Sequence, residues 1–309
     1  LGNISVGNIS VTGGNRSIYA NRALNLDSFG GNIQVQHFTD LTSTTSDDAI
    51  EVQSRGGDIT INDITRIKSD AAHGIFAESE GGNITIRDIG TAGNLADSAA
   101  YYAIYANSYD YGPALDETGT PLRDDQTQYI YEIRGGDVSI QNVSVEDVFY
   151  GRTEVPDPIT GLDSLQNVYT PSTNGISDKS SAGSINLGFG DINDDSDDDA
   201  SAIGDIYSQR KGIYANSQGG DINIHVDGKL DTGAEGIEVV NEGTGETEIQ
   251  TDGAVETGLT GIKATTGVNT SDLTVAVNST LESDTGAVEL SHGGTGTASV
   301  KLGSTAELT

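Results

Sequence analysis

"GIYANSQGGDINIHV", residues 212–226, joins two short alternating apolar runs through a pair of glycines. Its second half recurs along the chain as GGNIQV (30–35), GGDITI (56–61), GGNITI (81–86), GGDVSI (135–140) and AGSINL (182–187). Looser copies follow in ETEIQT (246–251), SDLTVAV (271–277) and TASVKL (297–302). Its first half recurs as SIYA (17–20), AIEV (49–52), GIFA (74–77), AIYA (103–106), GIEV (236–239), GIKA (261–264) and AVEL (287–290). Self-similarity at a fixed period marks a repeat architecture and has to be read before local structure.

Where nothing is inserted, the copies step by about 25 residues, from Ile50 to Ile75 and along Ile213, Ile237, Ile262 and Val288. A third apolar position keeps that step at Leu230, Val255 and Leu281. Each run alternates, so Ile222, Ile224 and Val226 face one side while Asn223 and His225 face the other. Three short strands per period suit a coil whose inward side chains stack on the coils above and below, with strands about 4.8 Å apart in parallel sheets. The expectation is an all-β chain folded as a parallel β-helix, right-handed by the crossover rule. Glycine pairs are expected at the corners, where positive φ costs them no Cβ clash.

Composition sets further limits. The chain has 309 residues, no Cys, Met or Trp, and 41 Gly without a collagen period. A narrow core repeated many times therefore replaces a wide aromatic one. The absence of cysteine removes disulfides and thiolate chemistry and is compatible with export. Without an initiating Met, a leader or an apolar stretch of membrane-spanning length, the sequence reads as a mature fragment of a longer chain with no direct membrane insertion. Fifteen basic residues against 47 acidic ones, a formal charge of −32, disfavour nucleic acid and anionic lipid as partners.

Three stretches interrupt the period, near 107–129, 149–175 and 188–206, and insertions on a solenoid map to one face where binding tends to sit. YIYEI (129–133) reads as the return arm of a projecting hairpin. Every Tyr and Phe lies at or before Tyr214. A single solenoid over 1–309 thus divides into a decorated region, 1–214, and regular aromatic-free coils, 215–309. Alternation points Tyr19, Phe76, Tyr105 and Tyr214 outward, with Glu238, Lys263 and Glu289 in that place later. Tyr101, Tyr102, Tyr105, Tyr109, Tyr111, Tyr129, Tyr131, Tyr150 and Tyr169 cluster in or beside the insertions and are the candidate ligand-binding residues, since tyrosine supplies contact area at low entropic cost.

One charged run, DINDDSDDDAS (191–201), spaces Asp191, Asn193, Asp195 and Asp197 at alternate residues, as a loop wrapping oxygen ligands around Ca²⁺ does. Ser196 and Ala202 stand where a helix-loop-helix calcium loop has its glycine and bidentate glutamate. His37, His73, His225 and His292 fall into no metal-ligand spacing and read as exposed strand or turn residues. No nucleophile elbow, phosphate loop or other catalytic motif is present. Sequons occur at Asn3, Asn8, Asn15, Asn83, Asn142, Asn269 and Asn278.

The GIYA and GGDINI signatures, recurring at coil length in a Cys-free acidic chain, resemble the β-helical stalks of bacterial autotransporter passengers and two-partner-secreted, haemagglutinin-like adhesins. The resemblance implies export, folding outside the cell, and work at the cell surface in adhesion. It carries no catalytic residues over to this chain. The expected function is a non-enzymatic extracellular adhesin that binds a glycan or protein through its insertions. Two alternatives stand beside it. One is a self-assembling filament or surface-layer subunit, since strand-like sequence runs to both ends and sheet edges invite end-to-end stacking. The other is a polysaccharide lyase or hydrolase.

Overall fold

A computed structural model of the protein describes residues 4–6, 17–20, 22–43, 47–69, 72–90, 96–98, 102–113, 131–134, 136–143, 145–147, 152–156, 163–167, 174–180, 184–188, 202–208 and 210–309. The strands stack in parallel into three sheets, two of ten strands and a third of nine to which one antiparallel strand is added. Sheet A holds the GGD-type strands, from Ile4–Val6 through Ile33–Phe38, Ile59–Ile64 and Ile222–Val226 to Ala298–Leu302. Sheet B holds short strands such as Ile67–Ser69, Leu230–Thr232 and Val255–Thr257. Sheet C holds Leu24–Ser28, Ile50–Arg55, Ile75–Glu80, Tyr102–Pro113, Asn174–Ser180 and the strands from Ile213–Ser217 to Gly286–His292. The chain visits A, B and C in turn, so each coil adds one strand to each sheet. Ile33 pairs with Ile59, and Ile59 with Ile84, which makes the plain coil 25 or 26 residues long. This is a parallel β-solenoid with no helix among the described residues.

Alternation explains why these strands form a core. In Ile213–Ser217 and Ile222–Val226 every second residue is buried, and Ile213, Ala215, Ile222, Ile224 and Val226 are each 0% exposed. Each such Ile or Val contributes roughly 1.5–3 kcal/mol of burial. Their backbones pair with the coils on either side, which satisfies main-chain polar groups that burial would otherwise leave without partners.

The insertions leave this frame at defined points. Tyr102–Pro113 runs on past the coil and is met antiparallel by Tyr131–Arg134, with Asp110 opposite Arg134 and Pro113 opposite Tyr131. That is the hairpin return expected from YIYEI. Arg152–Pro156 and Asp163–Asn167 form a second antiparallel ribbon inside the middle insertion. Within the span read as the third, 188–206, the frame has already resumed at Ile203, which bridges Val226 and is fully buried, and at the strand Ile206–Ser208.

Three expectations need correction. SIYA (17–20) is not a sheet C strand: it pairs with Asp40–Ser43 in sheet B, Tyr19 opposite Thr42, and its coil enters sheet C at Leu24–Ser28. The register of sheet C follows a serine three residues before the second glycine of a pair, as in Ser28, Ser54 and Ser79, which residues 17–20 lack. Strict alternation also fails in sheet A. His37, Asp63, Asp88 and Asn142 have φ of 62°, 55°, 56° and 48°, so the next inward side chain comes three residues on, at Phe38, Ile64, Ile89 and Val143. The left-handed residue recurs in register from coil to coil, so adjacent strands still pair one to one. The column is tied sideways where His37 Nδ1 meets the Asp63 carboxylate and Asn142 Nδ2 donates to Asp88 at 2.8 Å.

The third correction concerns the glycine pairs. Positive φ belongs to the first glycine at Gly30, Gly56 and Gly81, and neither Gly219 nor Gly220 adopts it. The second glycine is demanded by proximity. A Cβ on Gly57 would stand 2.3 Å from the carbonyl oxygen of Gly31, and one on Gly82 would stand 2.3 Å from that of Gly57.

Candidate functional site: the outer face of sheet C

Two kinds of corner hold this face. Between sheets C and A, the buried Ser79 hydroxyl accepts the Gly82 N–H at 3.0 Å and donates to the Gly57 carbonyl one coil back at 3.0 Å. Ser54 does the same with Gly57 and Gly31. The Asp or Asn that follows the glycines accepts the corresponding N–H of the next coil: Asn32 from Asp58, Asp58 from Asn83, Asn83 from Asp137, all at 2.8–3.0 Å. The S-x-G-G-[DN] pattern therefore couples each coil to the next. Between sheets B and C, Ser69 accepts the Ala72 N–H at 3.0 Å and donates to the Asp47 carbonyl. Asp48 accepts both the His73 N–H at 2.8 Å and His73 Nδ1 at 2.9 Å. His73 is thereby fixed at the rim of sheet C.

Outward residues on three successive strands then form a grid. Ile50–Arg55 presents Glu51, Gln53 and Arg55; Ile75–Glu80 presents Phe76, Glu78 and Glu80; the 102–113 strand presents Tyr105, Asn107 and Tyr109. Phe76 and Tyr105 stack at 5.0 Å between centroids and 13° between planes, and the His73 ring leans on both, at 5.2 Å and 5.8 Å. Parallel register alone brings the rings together, since Tyr105 lies directly opposite Phe76. Offset stacking of this kind contributes about 0.5–1.5 kcal/mol beyond burial.

The grid is acidic at its centre. Burial raises the Glu78 pKa above its ordinary value, and Glu51 and Glu80 push the same way, outweighing the Asn107 amide that donates to its carboxylate. Burial beside Glu78 and Glu80 likewise raises the Tyr109 phenol. Arg22 bonds Glu51 at 2.8 Å, while Glu78 and Glu80 have no ion pair among the described residues.

At the corner after Leu24–Ser28 and further along sheet C, rings are matched with cations. The Arg55 guanidinium lies 4.2 Å from the Phe29 centroid. Lys211 Nζ sits 5.1 Å from the Tyr214 centroid and also pairs with Glu238, which is opposite Tyr214 one coil on. Beyond Tyr214 that column continues as Glu238, Lys263 and Glu289, as alternation implied.

In the plain coils, the polar cluster of note lies on sheet A. Asp252 accepts from His225 Nε2 and Gln250 Nε2, each at 2.7 Å, and from Asn278 Nδ2 at 2.6 Å. Burial opposes ionisation of Asp252, but Asn278, Gln250 and His225 together hold its carboxyl below the usual range. His73, His225 and His292 are not the exposed residues expected: each is half-buried and bonded, to Asp48, Asp252 and Thr266, while His37, bonded to Asp63, keeps a side chain 37% exposed.

Of the candidate tyrosines, the structure brings Tyr105 and Tyr109 onto one face of the same strand. Tyr102 and Tyr111 lie on that strand too and Tyr131 on the hairpin return. Tyr101, Tyr129, Tyr150 and Tyr169 lie outside the described residues, as do Asp191, Asn193, Asp195 and Asp197 of the candidate Ca²⁺ loop. Among the described residues no group of three His, Cys, Asp or Glu side chains could hold a metal ion. Sequence reasoning missed His73, Phe76 and Glu78 as site residues; their signal was the register of GIFA against AIYA. No family model, curated protein or solved structure matches the chain.

Proposed function

We propose that this chain works outside the cell as a non-enzymatic, rigid β-solenoid that presents a contact face to a glycan or protein surface, as adhesin stalks of the autotransporter and haemagglutinin-like kind do. The observation that supports this reading most is the Phe76–Tyr105 stack, whose Tyr105 lies on the strand that runs on into the hairpin. Stacked rings on a flat outer face cost little in folding and supply area for contact. The neighbouring coils supply rigidity, and their cysteine-free, acidic composition suits an exported chain.

Beads coated with the full chain test the reading by adherence to cultured cells and to immobilised glycans. Phe76→Thr with Tyr105→Thr, which keeps β-propensity at both positions, is expected to lower adherence about tenfold with the melting temperature little changed, given how few residues carry most contacts. Adherence that survives this double substitution would remove the contact face from sheet C.

A further inference from the structure

We infer that this face seats an extended cationic segment of a partner protein, whose arginine or lysine side chains reach Glu78 and Glu80 and lie against the Phe76–Tyr105 rings. The inference rests on the reading of sheet C as the contact face and names the chemistry of its partner.

Three observations converge on a cation. Aromatic rings on or next to sheet C already hold positive charge: Arg55 lies over Phe29, in the corner after Leu24–Ser28, and Lys211 over Tyr214 on Ile213–Ser217. Lys211 shows the full arrangement: an ammonium over a ring and on the carboxylate of the residue opposite that ring in the next coil. The Phe76–Tyr105 pair has the same neighbours in richer form, with Glu51 opposite Phe76 and Glu78 and Glu80 further along its strand. Cation–π attraction and carboxylate pairing reinforce each other here, because a cation lying in the plane of the face satisfies both. Glu78 is the strained member, an anion half-buried between two others with one amide donor, and an incoming positive charge relieves it.

Spacing selects an extended peptide. Alternate residues of a strand recur about every 6.6 Å, so Glu78 and Glu80 match the alternate side chains of an extended segment running along Ile75–Glu80. Tyr105 and Tyr109 on the adjacent strand flank the same track about 4.8 Å away. A polyanion is repelled both here and by the whole chain, at a formal charge of −32.

The test is titration of the full chain with a fluorescent pentapeptide alternating arginine and threonine, at about 150 mM salt so that only close charges count. Glu78→Gln with Glu80→Gln is expected to weaken binding about fivefold or more, and Phe76→Thr with Tyr105→Thr about fivefold. Removing two charges from the plain coils, Glu282→Gln with Glu289→Gln, should change it less than about twofold at this ionic strength. The glutamine variants are isosteric and keep the test valid should the threonine pair lower stability. Equal weakening by the plain-coil control, no saturable binding, or tighter binding of glucosamine oligomers than of the peptide overturns the inference. If the peptide fails to bind while the threonine pair still abolishes adherence, the cationic partner falls and the contact face stands. If the peptide binds as expected while the threonine pair leaves adherence untouched, the cationic partner stands and the adhesive role of the face falls.

Discussion

The coils around Phe76 and those after Tyr214 share one stacking frame and differ in almost everything that faces away from the core. In the earlier coils each sheet A strand contains a left-handed residue, the corner is Ser with two glycines, and the outer column of sheet C carries rings. In the later coils alternation is unbroken from Ile222 to Val226 and from Leu273 to Val277, and the sheet C column carries Glu and Lys. After the Ser217 corner their chemistry changes too: Asn241 donates to the Gly220 and Glu246 carbonyls, and Thr270 to those of Asn241 and Gly243. The inward Ile, Val and Leu rows are interchangeable between the halves. Outward decoration therefore costs the core nothing, because alternation puts it on the opposite side of the strand.

The comparison breaks hardest at the corners. Gly82→Val sets a Cβ against the Gly57 carbonyl and is expected to cost at least about 3 kcal/mol, or to abolish folding, since the Cβ is fixed rigidly to its own backbone and the atoms it meets first are backbone. Gly286→Ala meets nothing within 4 Å and should stabilise by about 0.5 kcal/mol. Thermal melts of the two variants check this, and equal melting temperatures would refute the reading of the corners. Next, Ser79→Ala strips a buried donor and acceptor of their shared hydroxyl and should cost about 2 kcal/mol. Thr270→Ala removes only a donor to two carbonyls and should cost about 1 kcal/mol. Urea titration of both variants orders them.

The subtlest contrast is in pH. Asp252 has its folded pKa lowered, so its ionised form adds stability that is present above the unfolded value near 3.8 and lost as pH falls through the lower folded one. Asp252→Asn should therefore destabilise by about 1 kcal/mol at neutral pH, with the gap closing in acid. Glu78 has its folded pKa raised above 4.5, so its ionised form subtracts stability once pH rises through that window. Glu78→Gln should raise the melting temperature at neutral pH and leave it unchanged in acid. Melting curves from acid to neutral pH that fail to diverge in opposite directions would contradict these assignments.

Much of this frame is legible in the residues. Period, alternation and glycine pairs lead directly to three stacked sheets and to the hairpin return at Tyr131–Arg134. SIYA misleads because four residues of local likeness outweigh nothing physical; the corner serine sets the register, and LNLDS carries it behind polar letters. The left-handed column is visible in retrospect as a gap of three between Ile61 and Ile64 and between Ile86 and Ile89 where two was expected. The Phe76–Tyr105 contact follows from register, but the acid cluster around Glu78 depends on how deep each carboxylate sits, which no spacing in one strand encodes.

Ser108 shows what such a corner makes feasible. Its hydroxyl donates to the Gly82 carbonyl at 2.9 Å and accepts the Gly136 N–H at 2.7 Å, the same two bonds that Ser79 makes, yet here the partner lies 28 residues along the chain instead of three. The corner is a socket, indifferent to the length of what is plugged into it. Closing a longer loop costs only about 0.6 kcal/mol per doubling of its length, so a foreign segment spliced between Pro113 and Tyr131 should be carried as cargo without disturbing the coils on either side.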